Sequence, residues 1–241
     1  MIVVLYNNNM ENVKNKMSCS GQNCFENDYF NSVIRDGSIS HLSYNGLSVE
    51  QNPNIVYPFD KLISQNKPKR VLEIGTFAGG LTLIIRDLLD NNNLHSSDLI
   101  TYDVNPPIYL TPQVESDKLN IVVKVENLFS GDYTEFISEN IKNELSDFIQ
   151  QDGCTLVLCD GGVKKNEFNL ISPLLKVGDI IMAHDYCYDN EKFETEIKGK
   201  FWNWLEIQNS DIYSKCVENN LYDYLQDVFT KVAWVCKIKE K

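Results

Sequence analysis

The feature of this 241-residue chain that most restricts its fold is a series of short, almost unbroken apolar runs separated by helix-like segments. Runs such as "TLVLCD" at 155–160 and "DIIMAHD" at 179–185 have no polar face. A strand reads that way when both of its faces are buried, as in a parallel sheet covered by helices. Similar runs occur at 70–74, 99–104 and 120–125, and helices are expected over Gly80–Leu89, Tyr133–Gln150 and Lys165–Leu175. This alternation predicts a doubly wound α/β sheet. A further helix is expected over 52–66, with Pro53 near its start and Pro68 past its end. Residues 191–226 read as helical or irregular and precede a last strand, "KVAWVCKIK". Residues 1–50 are polar and rich in Asn and Ser, with one short helix expected around Asp28–Ile34. They read as an N-terminal extension or cap on a main domain spanning 51–241.

Composition narrows the function. Hydrophobic residues make up 43% of the chain and charged residues 23%, as in an ordinary globular protein. No apolar run approaches the roughly 18 residues of a membrane span, and the N-terminal "MIVVLYNNNMENVK" lacks the form of a secretory signal. A cytoplasmic protein without a membrane partner is the expectation. The seven cysteines are scattered without CxxC spacing, which predicts reduced thiols; Cys154, Cys159 and Cys236 fall in apolar segments. Acids outnumber bases 34 to 22, giving a net charge of −12, which disfavours a nucleic-acid partner. Self-association into a homo-oligomer is compatible with the sequence.

The segment Val71–Thr82, "VLEIGTFAGGLT", places Gly75, Gly79 and Gly80 between the first core strand and its helix. Small residues there let the backbone approach a ligand. A pyrophosphate would take the helix N-terminus, but Glu73 beside it is repulsive, and the Gly-x-x-x-Gly-Gly spacing departs from the dinucleotide fingerprint. S-adenosylmethionine carries a sulfonium and an ammonium instead of phosphates, so a carboxylate near the turn is favourable. Asp103, ending the second strand in "LITYDVNPP", is placed to accept hydrogen bonds from ribose hydroxyls. The expected cofactor contacts are Glu73, Gly75, Thr76, Phe77, Gly79, Gly80, Asp103, Val104 and Asp160, with Asn127 and Leu128 beside the adenine. The alternative for Glu73 and Asp103 is a purely structural cap and turn.

A second cluster forms at the ends of two later strands, where "TLVLCDGG" delivers Asp160 and "DIIMAHDY" delivers His184 and Asp185. Neighbouring strands are about 5 Å apart, so two carboxylates and an imidazole converge. One reading is a divalent metal, Mg²⁺ or Mn²⁺, held by Asp160, His184 and Asp185 while it fixes a substrate hydroxyl. In another, the cluster hydrogen-bonds loops, or Asp160 alone meets the substrate. His184 is also a candidate general base, with Asp160 and Asp185 as its catalytic partners. Lys164 and Lys165 read as solvated, His41 and His95 as surface residues, and Trp202 and Trp204 equally as pocket wall or core.

These two blocks, "VLEIGTFAGGLT" and "LCDGGVKKNEFNLISPLLKVGDIIMAHDY", resemble class I S-adenosylmethionine-dependent methyltransferases. More narrowly they resemble the group of macrocin-type sugar O-methyltransferases and cephalosporin hydroxylase or rhamnosyl O-methyltransferase proteins. The resemblance covers about residues 55–190. It implies a Rossmann-like sheet, mostly parallel with an antiparallel C-terminal strand. It maps the cofactor onto Glu73, Gly75, Gly79 and Asp103, and metal ligands onto Asp160 and the His184–Asp185 pair. Two positions depart from the group: His184 replaces a usual acid, and Val163 stands where a histidine thought to be the base follows the Asp-Gly-Gly turn.

The expected function is methylation of an oxygen on a small polar, sugar-like acceptor with divalent-metal assistance. A cofactor-binding protein without catalysis, regulatory or scaffolding, is the rival that Val163 favours. A nicotinamide-dependent oxidoreductase is disfavoured by Glu73 and the glycine spacing.

Overall fold

The computed structural model describes residues 13–20, 41–200 and 202–241. The helix expected around Asp28–Ile34, Cys24, and the side chains of Cys19 and His41 lie outside the described residues. Strands β1 (Met17–Ser20), β2 (His41–Tyr44) and β3 (Leu47–Ser48) form a small antiparallel sheet. Its buried Leu42, Tyr44 and Leu47 join the main core. The Tyr44 hydroxyl donates to Asp87, and Lys16 pairs with the same carboxylate at 2.7 Å.

A 3₁₀ turn at Pro53–Ile55, capped by the Asn52 side chain, leads into helix α1 (Val56–Asn66). Lys67 ends that helix in the left-handed conformation just before Pro68. The core elements then alternate as β4 (Arg70–Ile74), α2 (Gly80–Asn91), β5 (Asp98–Asp103), α3 (Leu110–Asp117), β6 (Val122–Val125), α4 (Glu139–Gln150), β7 (Thr155–Cys159), α5 (Lys164–Ile171) and β8 (Ile180–Ala183). Short strands β9 (Tyr186–Cys187) and β10 (Ile207–Gln208) pair beside the main sheet. The chain ends with α6 (Asn209–Glu218), β11 (Leu221–Asp223) and β12 (Val235–Lys239).

The main sheet has seven strands in the order β11-β12-β8-β7-β4-β5-β6. Strands β6, β5, β4, β7 and β8 are parallel, and β12 runs antiparallel between β8 and β11. The expected doubly wound, Rossmann-like sheet with an antiparallel C-terminal strand is therefore present. Alternate side chains of the central strands serve opposite layers, as the two-residue period requires. Val71, Leu156 and Met182 pack under α1 and α2, whereas Leu72, Val157 and Ile181 pack under α4, α5 and α6. Both faces are covered, which is why these strands read as continuous apolar runs.

Several boundaries differ from expectation for local reasons. The helix expected from Tyr133 begins only at Glu139, because Ser138 is extended and its hydroxyl caps Ile141 N–H at 3.3 Å. Ahead of it, Asp132 accepts from Thr134 N–H in a tight turn, and Tyr133 is left-handed. The helix expected to reach Leu175 stops at Ile171, since Pro173 turns the next residues into a 3₁₀ segment. Helix α3, which follows Pro107 and carries Pro112 in its first turn within a polar sequence, was not anticipated, nor was the edge strand β11. The last strand starts at Val235 and not near Lys231, because Ala233 is left-handed. No described helix is long and apolar enough to cross a membrane.

Candidate functional site

Strand β4 has β5 on one side and β7 on the other, so the direction of winding reverses between β4 and β7. In open α/β sheets ligands bind outside the carboxyl ends of the strands at such a point. The register brings Tyr102, Ile74, Cys159 and Ala183 level with one another. The next residue on each strand, Asp103, Gly75, Asp160 and His184, therefore emerges along one rim. Backbone bonds extend the ladder one step to hold them there: Gly75 N–H to Tyr102 (2.9 Å), Asp160 N–H to Ile74 (2.9 Å) and His184 N–H to Cys159 (3.1 Å).

Gly75 has φ +93°, and a Cβ there would lie 2.2 Å from the carbonyl oxygen of Asp160. Only glycine lets the two strand ends approach this closely. Gly80 opens α2 so tightly packed that a Cβ would lie 2.4 Å from the Ser48 carbonyl oxygen. The Ser48 carbonyl and the Val49 side chain thus pack against the first residue of α2, beside the place a pyrophosphate would take. Gly79 is the N-cap of α2.

Two cavities flank this rim. One, of about 270 Å³, is lined by Gly75, Phe77, Asp103, Val104, Asn127, Leu128 and Asp160, with Phe129, Tyr133 and Glu167 completing its wall. The Asp103 carboxylate shapes it by accepting from Phe77 N–H and Asn105 N–H, both at 2.8 Å. The other, of about 290 Å³, is lined by Gly75, Thr76, Phe77, Gly80, Asp160, His184 and Asp185, and also by Ser48–Glu50, Lys164, Trp202, Trp204 and Glu206. Gly75, Phe77 and Asp160 belong to both, so the cavities meet there. Of the expected cofactor residues, Glu73 and Gly79 line neither. Glu73 lies buried beneath the turn, where Thr82 donates to its Oε2 at 2.6 Å while Oε1 has no partner. Burial pushes its carboxyl up to about 7. Thr76 is anchored by a 2.6 Å hydroxyl contact with Thr101.

The expected acidic cluster assembles. Asp160, His184 and Asp185 each offer a ligand atom within 4.8 Å of the others. His184 is 2% exposed, its ring stacked on Trp234 at 5.0 Å and tilted against Trp202 at 4.8 Å. Its Nδ1 lies 3.0 Å from Asp160 Oδ1, whereas its Nε2 is buried with no partner. Burial alone would lower the imidazole pKa, but the carboxylates of Asp160 and Asp185 outweigh it and hold the pKa above the usual value. Burial raises the Asp160 carboxyl in spite of His184 and Lys164. For Asp185 the same burial is overcome by His184, Lys164 and the Trp202 N–H, so its carboxyl lies below the usual range. Asp185 has φ +55°, a strained conformation for a residue with a side chain.

Three residues that the sequence reading did not place here complete the cluster. Gln51 donates to Asp160 Oδ2 at 2.7 Å and accepts from the Trp234 indole N–H at 2.8 Å. Lys164 is buried and not solvated, with Nζ 2.9 Å from both Asp185 Oδ2 and Glu206 Oε2 and 3.9 Å from Asp160 Oδ1. Burial would lower the ammonium pKa, but the surrounding carboxylates raise it, so it stays charged. A lysine four residues past Asp160, in the first turn of α5, was the available signal for this contact. Lys165 is exposed and His95 is a surface residue, as expected. Trp202 and Trp204 both line the second cavity, and Trp202 is also buried.

As arranged, the donor set does not fit a divalent ion. Gln51 holds Asp160 Oδ2, His184 faces Oδ1, Trp202 donates to Asp185 Oδ1 and Lys164 holds Asp185 Oδ2. A hard divalent cation prefers about six oxygen ligands, whereas this cluster offers two carboxylates and an imidazole with an ammonium already 2.9 Å from Asp185 Oδ2.

Residues 72–186 match the family model described as a methyltransferase domain, which supports a methyltransferase at the core of the chain. The fold is also that of solved methyltransferase-like structures. The apo structure of CmcI-N160 superposes with a TM-score of 0.59 at 11% identity, over 83% of this chain and 76% of that one. An O-methyltransferase family protein from Burkholderia thailandensis gives 0.50 at 8% identity, over 78% of this chain and 57% of that one. The cmcI-N160 structure with SAH is 17% identical over 59% of this chain and 66% of its own length, with a TM-score of 0.42. No curated protein sequence matches the chain.

Proposed function

We propose that this chain is an S-adenosylmethionine-dependent methyltransferase that methylates an oxygen of a small polar acceptor. The observation that carries this reading is the pair of cavities meeting at Gly75 and Asp160, at the carboxyl ends of β4 and β7. The Gly-x-x-x-Gly-Gly spacing disfavours a pyrophosphate-bearing dinucleotide, and the two cavities leave room for an adenosyl ligand without phosphates. The residues of the first cavity fit such a ligand. Asp103 has lone pairs to accept from ribose hydroxyls, Leu128 and Phe129 offer an apolar wall for a purine, and the neighbouring acids favour a cation. When bound, S-adenosylmethionine supplies an electrophilic methyl carbon whose bond to sulfur breaks, the electron pair staying on sulfur, as the bond to the acceptor oxygen forms.

The chain's own residues orient the nucleophile. An acceptor oxygen held where the cavities meet lies beside the Asp160 carboxylate, and its proton passes to that carboxylate. Burial raises the proton affinity of Asp160, the direction a base requires. His184, with Nδ1 engaged by Asp160 and Nε2 buried, acts as the partner that fixes this carboxylate. Trp202 and Trp204 wall the acceptor cavity. Positioning of this kind can supply on the order of 7–11 kcal/mol of barrier reduction.

The test is formation of S-adenosylhomocysteine with a panel of hydroxylated small molecules. Turnover with at least one acceptor, reduced about 100-fold or more in Asp160→Asn, is expected. Full turnover in Asp160→Asn would refute the assignment of the base.

A further inference from the structure

The metal reading of the acid cluster meets a cation that is already present. Lys164 Nζ has three N–H donors, and three oxygens surround it at bonding distance: Asp185 Oδ2 and Glu206 Oε2 at 2.9 Å and the Gly161 carbonyl at 3.3 Å. The side chain is 8% exposed, and its first-turn position on α5 aims it back toward the strand ends. Asp160 Oδ1, at 3.9 Å, completes a shell of three carboxylates around one ammonium. A divalent ion bridging Asp160 and Asp185 would sit beside that ammonium, which is 2.9 Å from Asp185 Oδ2 and 3.9 Å from Asp160 Oδ1, placing like charges side by side. Lysine presents a compact point charge, which suits this role better than the planar fork of arginine.

We propose that the Lys164 ammonium stands in the place of a divalent cation at the ends of β7 and β8, so that the chain neutralises and orients Asp160 and Asp185 with its own side chain and takes up no metal there. Lys164 is then a positioning residue. The role assigned to the site rests on the methyl-transfer reading, but the claim about metal does not.

The test is Mn²⁺ uptake, read from loss of the free-ion electron paramagnetic resonance signal, in chelator-treated full-length protein. The expected result is no uptake by the wild type with protein and Mn²⁺ each at about 100 μM, well above the dissociation constants of sensor-type divalent-cation sites. Lys164→Met should bind one Mn²⁺ per chain at least tenfold more tightly than the wild type, and adding Asp160→Asn should abolish that binding. Lys164→Gln serves if Lys164→Met fails to fold, and the wild-type measurement stands without either variant. Micromolar uptake by the wild type that Asp160→Asn removes would overturn the proposal. A folded Lys164→Met binding no more tightly than the wild type would also overturn it. S-adenosylhomocysteine binding is measured on the same samples: its absence would count against methyl transfer and leave the metal result intact.

Discussion

Gln51 offers a sharp test of how the segment after β3 completes the site. Its side chain is 3% exposed and bridges the Asp160 carboxylate to the Trp234 indole, the two contacts being 2.7 and 2.8 Å. Gln51→Leu keeps the bulk and removes both bonds, leaving a buried carboxylate oxygen and a buried N–H without their partner. An orphaned neutral donor costs about 1–2 kcal/mol and a lost bond to a charged acceptor about 2–3 kcal/mol, so about 3–5 kcal/mol in all. For a domain of this size each kcal/mol moves the midpoint by about 2–4 °C, so thermal unfolding followed by circular dichroism at pH 7.5 should show Tm lower by roughly 6–20 °C. Gln51→Glu supplies the control. The new carboxyl beside Asp160 has its pKa raised in the folded state, so its cost is absent at low pH and grows as pH rises through the unfolded and then the folded value. That variant should approach the wild type near pH 5 and fall below it near pH 8. A Gln51→Leu protein that melts within ~2 °C of the wild type would refute the bridging role.

Gly75→Ala should be among the most damaging single substitutions, because its Cβ would meet the Asp160 carbonyl at 2.2 Å with φ at +93°. Strain and overpacking together predict a loss of about 3 kcal/mol or more in denaturant unfolding, and a loss under ~1 kcal/mol would contradict the close approach of the strand ends. Glu73, raised by burial from 4.5 to about 7, stays protonated in the folded state while the unfolded chain ionises, so it lowers stability as pH rises from about 4.5 to 7. Glu73→Gln should therefore gain about 3 kcal/mol on the wild type across that window, and a difference independent of pH would refute the raised value. His184→Asn should slow turnover at least about tenfold while leaving S-adenosylhomocysteine affinity within about twofold; equal losses in both would argue against its role as the partner of Asp160.

The parts of this molecule set by local pattern were legible in its sequence. The buried strands announced themselves by apolar runs, and their carboxyl ends delivered Asp103, Asp160, His184 and Asp185 to one rim. Glu73 shows the limit of that reasoning: the sequence puts a carboxylate beside the turn, but alternation along β4 directs it beneath the turn and into the core. Gln51 and Glu206 reach the cluster from segments 109 residues before and 46 residues after Asp160, and no local period encodes such contacts. Lys164 looked like a helix-opening surface residue, and only the convergence of three acids explains its burial. Helix α3 was missed because Pro107 precedes and Pro112 interrupts a polar stretch in which Leu110 is the fully buried hydrophobic anchor among the described side chains.

The most direct measurement is calorimetric titration of the wild type and Asp103→Ala with S-adenosylhomocysteine, and of the wild type with NAD⁺. An adenosyl site at the β4–β5 edge predicts micromolar binding of S-adenosylhomocysteine, weakened at least about tenfold by Asp103→Ala, and no binding of NAD⁺. Tight NAD⁺ binding with no response to S-adenosylhomocysteine would contradict it.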